Sequence, residues 1–113
     1  MNDRLHTSFW VEAHVRTCFG ADMPTFVVAK GDAERGGILL KVNCFQQGIN
    51  LYEQAMDFDG NKMWRHLGAF EASAERDADM LLQKKRQFDA DMWLLEIEDQ
   101  KGIYTLDAPL SAF

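Results

Sequence analysis

ILLKVN, Ile38 to Asn43, constrains the fold of this chain more than any other stretch. Side chains alternate across the two faces of a strand, and here both faces are apolar except at Lys41 and Asn43. A strand of that kind belongs in the middle of a sheet, so the rest of the sequence must supply its neighbours. TFVVAK, Thr25 to Lys30, is short, apolar and β-branched and reads as a strand. INLYEQAM, Ile49 to Met56, and KMWRHL, Lys62 to Leu67, flank DFDGN. Asp59-Gly60 between two such runs predicts a hairpin with a two-residue type I′ turn. That turn would set Met56 opposite Met63 and Glu53 opposite His66. MWLLEIE reads as a further strand, DQKG as a type I turn with Asp99 first and Gly102 fourth, and IYTL as a short last strand.

Two segments carry a helical period instead. In SFWVEAHVRTCF, Val11, Val15, Cys18 and Phe19 share a face with His14 between them, Ser8 is a candidate N-cap and Gly20 a stop. In SAERDADMLLQKKRQF, Ser73 is a plausible cap and Ala74, Ala78, Leu81, Lys85 and Phe88 mark a face. Glu75, Asp77 and Asp79 come early and Lys84, Lys85 and Arg86 late, an order that suits the helix macrodipole. The expectation is an α+β fold of two helices with a mostly antiparallel sheet, in the order α-β-β-β-β-α-β-β. One domain spans residues 1–113, with 107–113 as a tail.

Composition narrows the function classes. The 113 residues are 47% hydrophobic, enough to fill a core. A net charge of −6 argues against non-specific nucleic-acid binding, which calls for a basic excess. No apolar stretch approaches the ~20 residues of a membrane span, and the first residues do not read as a signal peptide. The expected location is the cytoplasm, which suits two reduced cysteines, Cys18 and Cys44.

No catalytic constellation is evident in the spacing. KGDAERGG, residues 30–37, has the glycines of a phosphate loop but its Lys comes first and a strand follows, so a hairpin loop is the expectation there. His6, His14 and His66 lack zinc-ligand spacing; His14 reads as a hydrogen-bonded residue at the core edge. In WLLEIED, Trp93, Leu95 and Ile97 form a core face. Leu94, Glu96 and Glu98 form the other, which turns acidic as a partly covered outer face would, with Lys41 and Lys30 as counter-charges. Two carboxylates alone are too few oxygens for most divalent cations, and no metal or other cofactor is expected. Asp99-Gln100-Lys101 matches the acidic-x-Lys element of some nucleases, yet it falls in a turn.

FWVEAHVR, VVAKGD with the following glycines and ILLKVN, and DADMWLLEIEDQKG together resemble a family of uncharacterised alphaproteobacterial proteins, domain of unknown function family 1491. The resemblance runs from about Phe9 to Leu106, with Ala90 in place of the Pro that the pattern favours. It implies a class and no activity. The matching positions single out a candidate functional face of Lys30, Asp32, Lys41, Asp91, Trp93, Glu96 and Glu98. Eight Phe, three Trp and six Met are more than one core of this size can bury, and such residues favour interfaces. The expected function is therefore a cytosolic binding or interaction module that forms a homodimer, with the tail from Ala108 as a crossing segment. The alternative is a small enzyme or ligand-binding domain that uses the Lys30–Asp32 loop and the Glu96/Glu98 face.

Overall fold

The computed structural model describes residues 6–112. Its order is α1 (Thr7–Gly20), β1 (Thr25–Ala29), β2 (Ile38–Asn43), β3 (Ile49–Met56), β4 (Lys62–Phe70), α2 (Glu75–Phe88) and β5 (Trp93–Glu98). The five strands form one mostly antiparallel sheet, β1-β5-β2-β3-β4, and with the two helices they make an α+β fold. β2 is central, as its apolar faces require, and all six of its residues are buried.

β5 separates β1 from β2. It runs antiparallel to β1 and parallel to β2, from Ile38↔Trp93 to Asn43↔Glu98. Residues 30–37 are therefore not a hairpin loop; they cross the start of β5 to reach β2. The same arrangement explains why Ile103 to Leu106 is not a strand of the sheet. β5 already has a partner on each side, and the amides of Ile103 and Tyr104 donate to the Asp99 carboxylate at 2.9 Å each. The type I turn at Asp99 does form, closed by Gly102 N–H to Asp99 C=O with Gly102 at φ +66°.

The helices cover opposite faces. Val11 and Cys18 of α1 pack on Ile38, Leu40, Leu95, Ile97 and Trp64. Ala78 and Leu82 of α2 pack on Leu39, Ile49, Leu51 and Leu94. Phe19 and Phe88, expected on the buried stripes, are exposed. The covered side of α2 holds the expected Ala78 and Leu81 and adds the buried Leu82 in place of Phe88. Neither candidate cap is used. The first amides of α1 instead donate to loop carbonyls, Thr7 to Glu34 and Ser8 to Ala33, which satisfies groups that every helix start leaves open.

The hairpin after β3 is real but one residue out of the expected register. Met56 faces Lys62 and Glu53 faces Arg65, so Glu53 and His66 are not opposed. Gly60 N–H closes a turn onto Asp57 C=O, and Gly60 sits at φ +84°. This is a three-residue loop with a glycine bulge, the next commonest hairpin solution. The side chain of Asp57 selects it by accepting the amides of Asp59 and Asn61.

The two sheet edges differ. Along β4 the segment after Asp107 docks in cis: Trp64 N–H donates to Pro109 C=O and Ser111 N–H to Trp64 C=O, with Leu110 in a parallel bridge to Trp64. The tail thus lies against its own sheet, where Ala108 packs on the core while Leu110 stays 52% exposed; Phe113 lies outside the described residues. Among the described residues no strand pairs with the outer side of β1. No helix among the described residues is long and apolar enough to cross a membrane.

Candidate functional site

The residues singled out by sequence occupy three places. At one end of the sheet the crossing loop is locked onto the entry to β5. Asp32 N–H donates to Asp91 C=O, Trp93 Nε1 to Asp32 C=O at 2.8 Å, and Trp93 N–H to Gly37 C=O. The Asp32 carboxylate caps the loop by accepting the amides of Glu34 and Arg35. A Cβ on Gly31 would come within 2.0 Å of the Asp91 carbonyl oxygen, and one on Gly36 within 2.3 Å. Both glycines are there because the two backbones touch. Arg86 completes the lock by donating to the carbonyls of Met92, Lys30 and Ala90. Part of the basic KKR run is thus committed to backbone, a role that its position late in a helix did not reveal. Gly31, Asp32, Asp91 and Trp93 have a sufficient structural task here. The Lys30 side chain makes no hydrogen bond or ion pair among the described residues.

In the middle of the sheet, under α2, lies Lys41, 4% exposed. Its ammonium contacts Glu75 at 2.6 Å, Asp79 at 2.8 Å and Glu96 at 3.5 Å. Burial alone would lower the Lys41 pKa, but hydrogen bonds to Asp79 and Glu75 and the charge of Glu96 outweigh it and raise it. Glu96 also accepts from Asn43 Nδ2. At the other end of α2, Lys85 reaches Glu53 at 3.2 Å. The helix is seated by an ion pair at each end with Ala78 and Leu82 between them. This is why the apolar strands carry Lys41 and Glu53 at those positions.

Glu98 stands at the far end of β5, with its amide bonded to Pro24 C=O. Lys30 cannot balance it: β1 is antiparallel to β5, so Ala29 faces Leu94 at the opposite end. Of the two expected counter-charges, Lys41 alone reaches the acidic face, at Glu96. Glu98 lines a groove of about 270 Å³ with Asp22, Pro24, Phe45, Lys101 and Ile103. The candidate residues are thus spread from one end of the sheet to the other and do not converge.

Sequence reasoning missed a cluster that the fold assembles from distant segments. Asp107 accepts from Trp10 Nε1 at 2.9 Å, Trp64 Nε1 at 2.8 Å and Lys62 Nζ at 2.9 Å. The Lys62 ammonium lies 4.1 Å from the Trp10 ring centroid, a cation–π contact. His14 stacks on Trp10 and bonds to the Tyr104 hydroxyl at 2.7 Å, the hydrogen-bonded core-edge role expected of it. Burial lowers its pKa, against the nearby charge of Asp107. The cluster pins residues 104–107 and so delivers the tail to β4. Among the described residues no group of three or more His, Cys, Asp or Glu could hold a metal ion.

Comparison with known proteins agrees with this geometry. The family model "Protein of unknown function (DUF1491)" matches residues 5–107. A crystal structure of a DUF1491 family protein from Caulobacter crescentus CB15 is similar to this chain at 29% identity and a TM-score of 0.85, covering 96% of this chain and 100% of the other. An NMR structure of a DUF1491 family protein from the same organism gives 30% identity and a TM-score of 0.82, over 96% and 97%. The solution structure of protein Atu0922 from A. tumefaciens gives 27% identity and a TM-score of 0.67, over 85% and 86%. No curated protein matches the chain.

Proposed function

The chain belongs to the DUF1491 family, whose description names no activity, and from that starting point we propose that it is a small interaction module that pairs with itself through β1. The observation that carries this reading is the uncovered edge. Phe26 is 48% exposed, Val27 38% and Val28 55%, in the edge strand whose outer side no described segment pairs with. Exposed apolar edges are templates for further strand pairing. Two β1 strands meeting antiparallel about a two-fold axis would join two five-stranded sheets into one. The homodimer should bury more than about 1,000 Å² in total, with Phe26 near its centre.

The free thiols of Cys18 and Cys44 support a cytoplasmic location, and the organisms of the similar structures support a bacterial one. The acidic charge favours a protein partner over nucleic acid. The alternative, an enzyme or ligand site across the loop of residues 30–32 and the Glu96/Glu98 face, has less support. Asp32 and Trp93 serve the loop, Glu96 serves Lys41, and Glu98 stands apart from both.

Sedimentation equilibrium tests the reading. The wild-type chain should be a dimer at micromolar concentration, and Val28→Lys should raise the dissociation constant at least about tenfold, since a buried unpaired charge at an interface costs more than ~1.4 kcal/mol. Phe58→Lys at the hairpin tip, also apolar and still more exposed, should leave it unchanged. A monomeric wild type, or equal effects of the two variants, would remove the proposal.

A further inference from the structure

The groove at the end of β5 is formed by three turns: the exit from α1, the 3-10 turn Phe45–Gln47 that follows β2, and the turn that follows β5. β2 and β5 are the parallel pair of the sheet, and the groove lies beyond the carboxyl ends of both. In open α/β sheets ligands bind in the crevice beyond the carboxyl ends of the parallel strands, and the groove has the same position relative to this one parallel pair. Its walls are of two kinds. Phe45, Pro24, Met23 and Ile103 are apolar, while Asp22 and Glu98 present carboxylates.

Neither Asp22 nor Glu98 makes a side-chain hydrogen bond or ion pair among the described residues. Asp99, beneath them, is 2% exposed and already accepts two amides and the Cys44 thiol. Lys101 is the one cation of the lining, against three carboxylates. Among the described residues, Asp22 and Phe45 are also the two non-glycine residues with positive φ, at 64° and 55°. Both stand at the groove.

We propose that this groove takes the cationic side chain of a basic partner peptide, an arginine whose stem lies on the apolar wall and whose guanidinium meets Asp22 and Glu98. The chemistry selects this occupant over the alternatives. An anion would face three carboxylates. A divalent cation would find only two free carboxylates, too few oxygens to replace its water. At about 270 Å³ the space falls below the range of drug-sized ligand sites and suits a single side chain. A guanidinium pairs with carboxylates through a planar fork and stacks on aromatic rings such as Phe45. The net charge of −6 would draw a basic segment to the surface before it docks. This site does not rest on pairing through β1.

The test is an amide-shift titration of the full chain by NMR, with acetyl-Gly-Arg-Gly-amide as probe. Saturable shifts should be confined to the three turns around Asp22, Phe45 and Glu98, and should weaken as salt is added. The citrulline peptide, of the same shape without the charge, should bind at least about tenfold more weakly, as should the arginine peptide to an Asp22→Asn, Glu98→Gln double variant. The remainder of that variant's spectrum reports whether it has folded; Glu98→Gln alone, at a position with no side-chain partner, is the second variant. Val28→Lys should bind the peptide as the wild type does, whatever its oligomeric state, which separates this result from the fate of the β1 reading. Equal binding of the citrulline peptide, shifts spread outside the turns, or no saturable shift at all would overturn the proposal.

Discussion

At β4 the outer edge of the sheet is covered at Trp64 by the chain's own segment 109–111, while at β1 no described segment pairs with the other edge. The closed edge is also the polar one: Arg65 and His66 lie along β4, and Lys62 is bound into the Asp107 cluster. The open edge carries Phe26, Val27 and Val28, and its one protective irregularity is the register shift between Val27 and Ala29. Natural sheets blunt exposed edges with charge, bulges or a covering segment. One sheet here has an edge with charge, a register shift and a covering segment, and another with a register shift alone. The contrast teaches that the open edge is not a general looseness of the fold. The same sequence recruits distant segments to close β4 and leaves β1 for something else.

Substitutions at four positions would break or sharpen that contrast. Asp107→Ala should have the largest effect on stability, because the buried Trp64 indole N–H, Trp10 and Lys62 all lose their common acceptor. A loss of about 2–3 kcal/mol in urea unfolding is expected, with new association through the freed β4 edge visible in sedimentation. The same carboxyl should report on pH. Burial pushes its pKa up, but hydrogen bonds from Trp64, Lys62 and Trp10 and the Lys62 charge outweigh that and hold it below its ordinary 3.8. A group depressed on folding contributes stability above its unfolded pKa and loses it as pH falls through the folded value. Asp107→Asn should therefore flatten the acid limb of the stability curve below about pH 4.

Next in size is Ser111→Pro, which removes the donor of the 2.7 Å bond to the Trp64 carbonyl. It should cost about 1 kcal/mol and speed amide exchange along β4 while leaving β1 unchanged. Glu53→Gln removes the partner of Arg65 and Lys85 at a partly exposed site and should cost under about 1 kcal/mol. Val28→Lys comes last: in an exposed strand position it should move stability by no more than ~0.5 kcal/mol. Its large effect is expected on association alone. Thermal melts of dilute protein would show whether these two effects separate.

The elements were legible because each rests on local pattern: the double-sided apolarity of β2, the alternation of β3 and β4, and the charge order of α2. What lay beyond the sequence was pairing between distant segments. Nothing in TFVVAK or ILLKVN announces that WLLEIE will lie between them, so the intervening loop read as a hairpin. Asp59-Gly60 pointed to a turn in the right place, but the Asp57 side chain tipped it to the longer form and moved the register by one residue. The candidate residues show the same division. Trp93, Leu95 and Ile97 fell on the core face as alternation requires. Asp32, Asp91 and Trp93 could be picked out individually, yet their joint task depends on a loop crossing that only the assembled sheet contains. Asp107 carried no local signal, because its three donors come from positions 10, 62 and 64.

The insertion of β5 between β1 and β2 has a consequence for how the chain acquires its structure during synthesis. β2, β3 and β4 form a meander and can pair as soon as they have emerged. β1 has no partner among them. It must wait, with both sides unpaired, until residues 93–98 have been made and enter the slot, and the parallel contacts of β5 with β2, from Ile38↔Trp93 to Asn43↔Glu98, span nearly half of the 113-residue chain. Such long loop closures slow folding, and unpaired apolar strands are vulnerable to aggregation in the interval. The last strand to be synthesised is thus the one that admits the first.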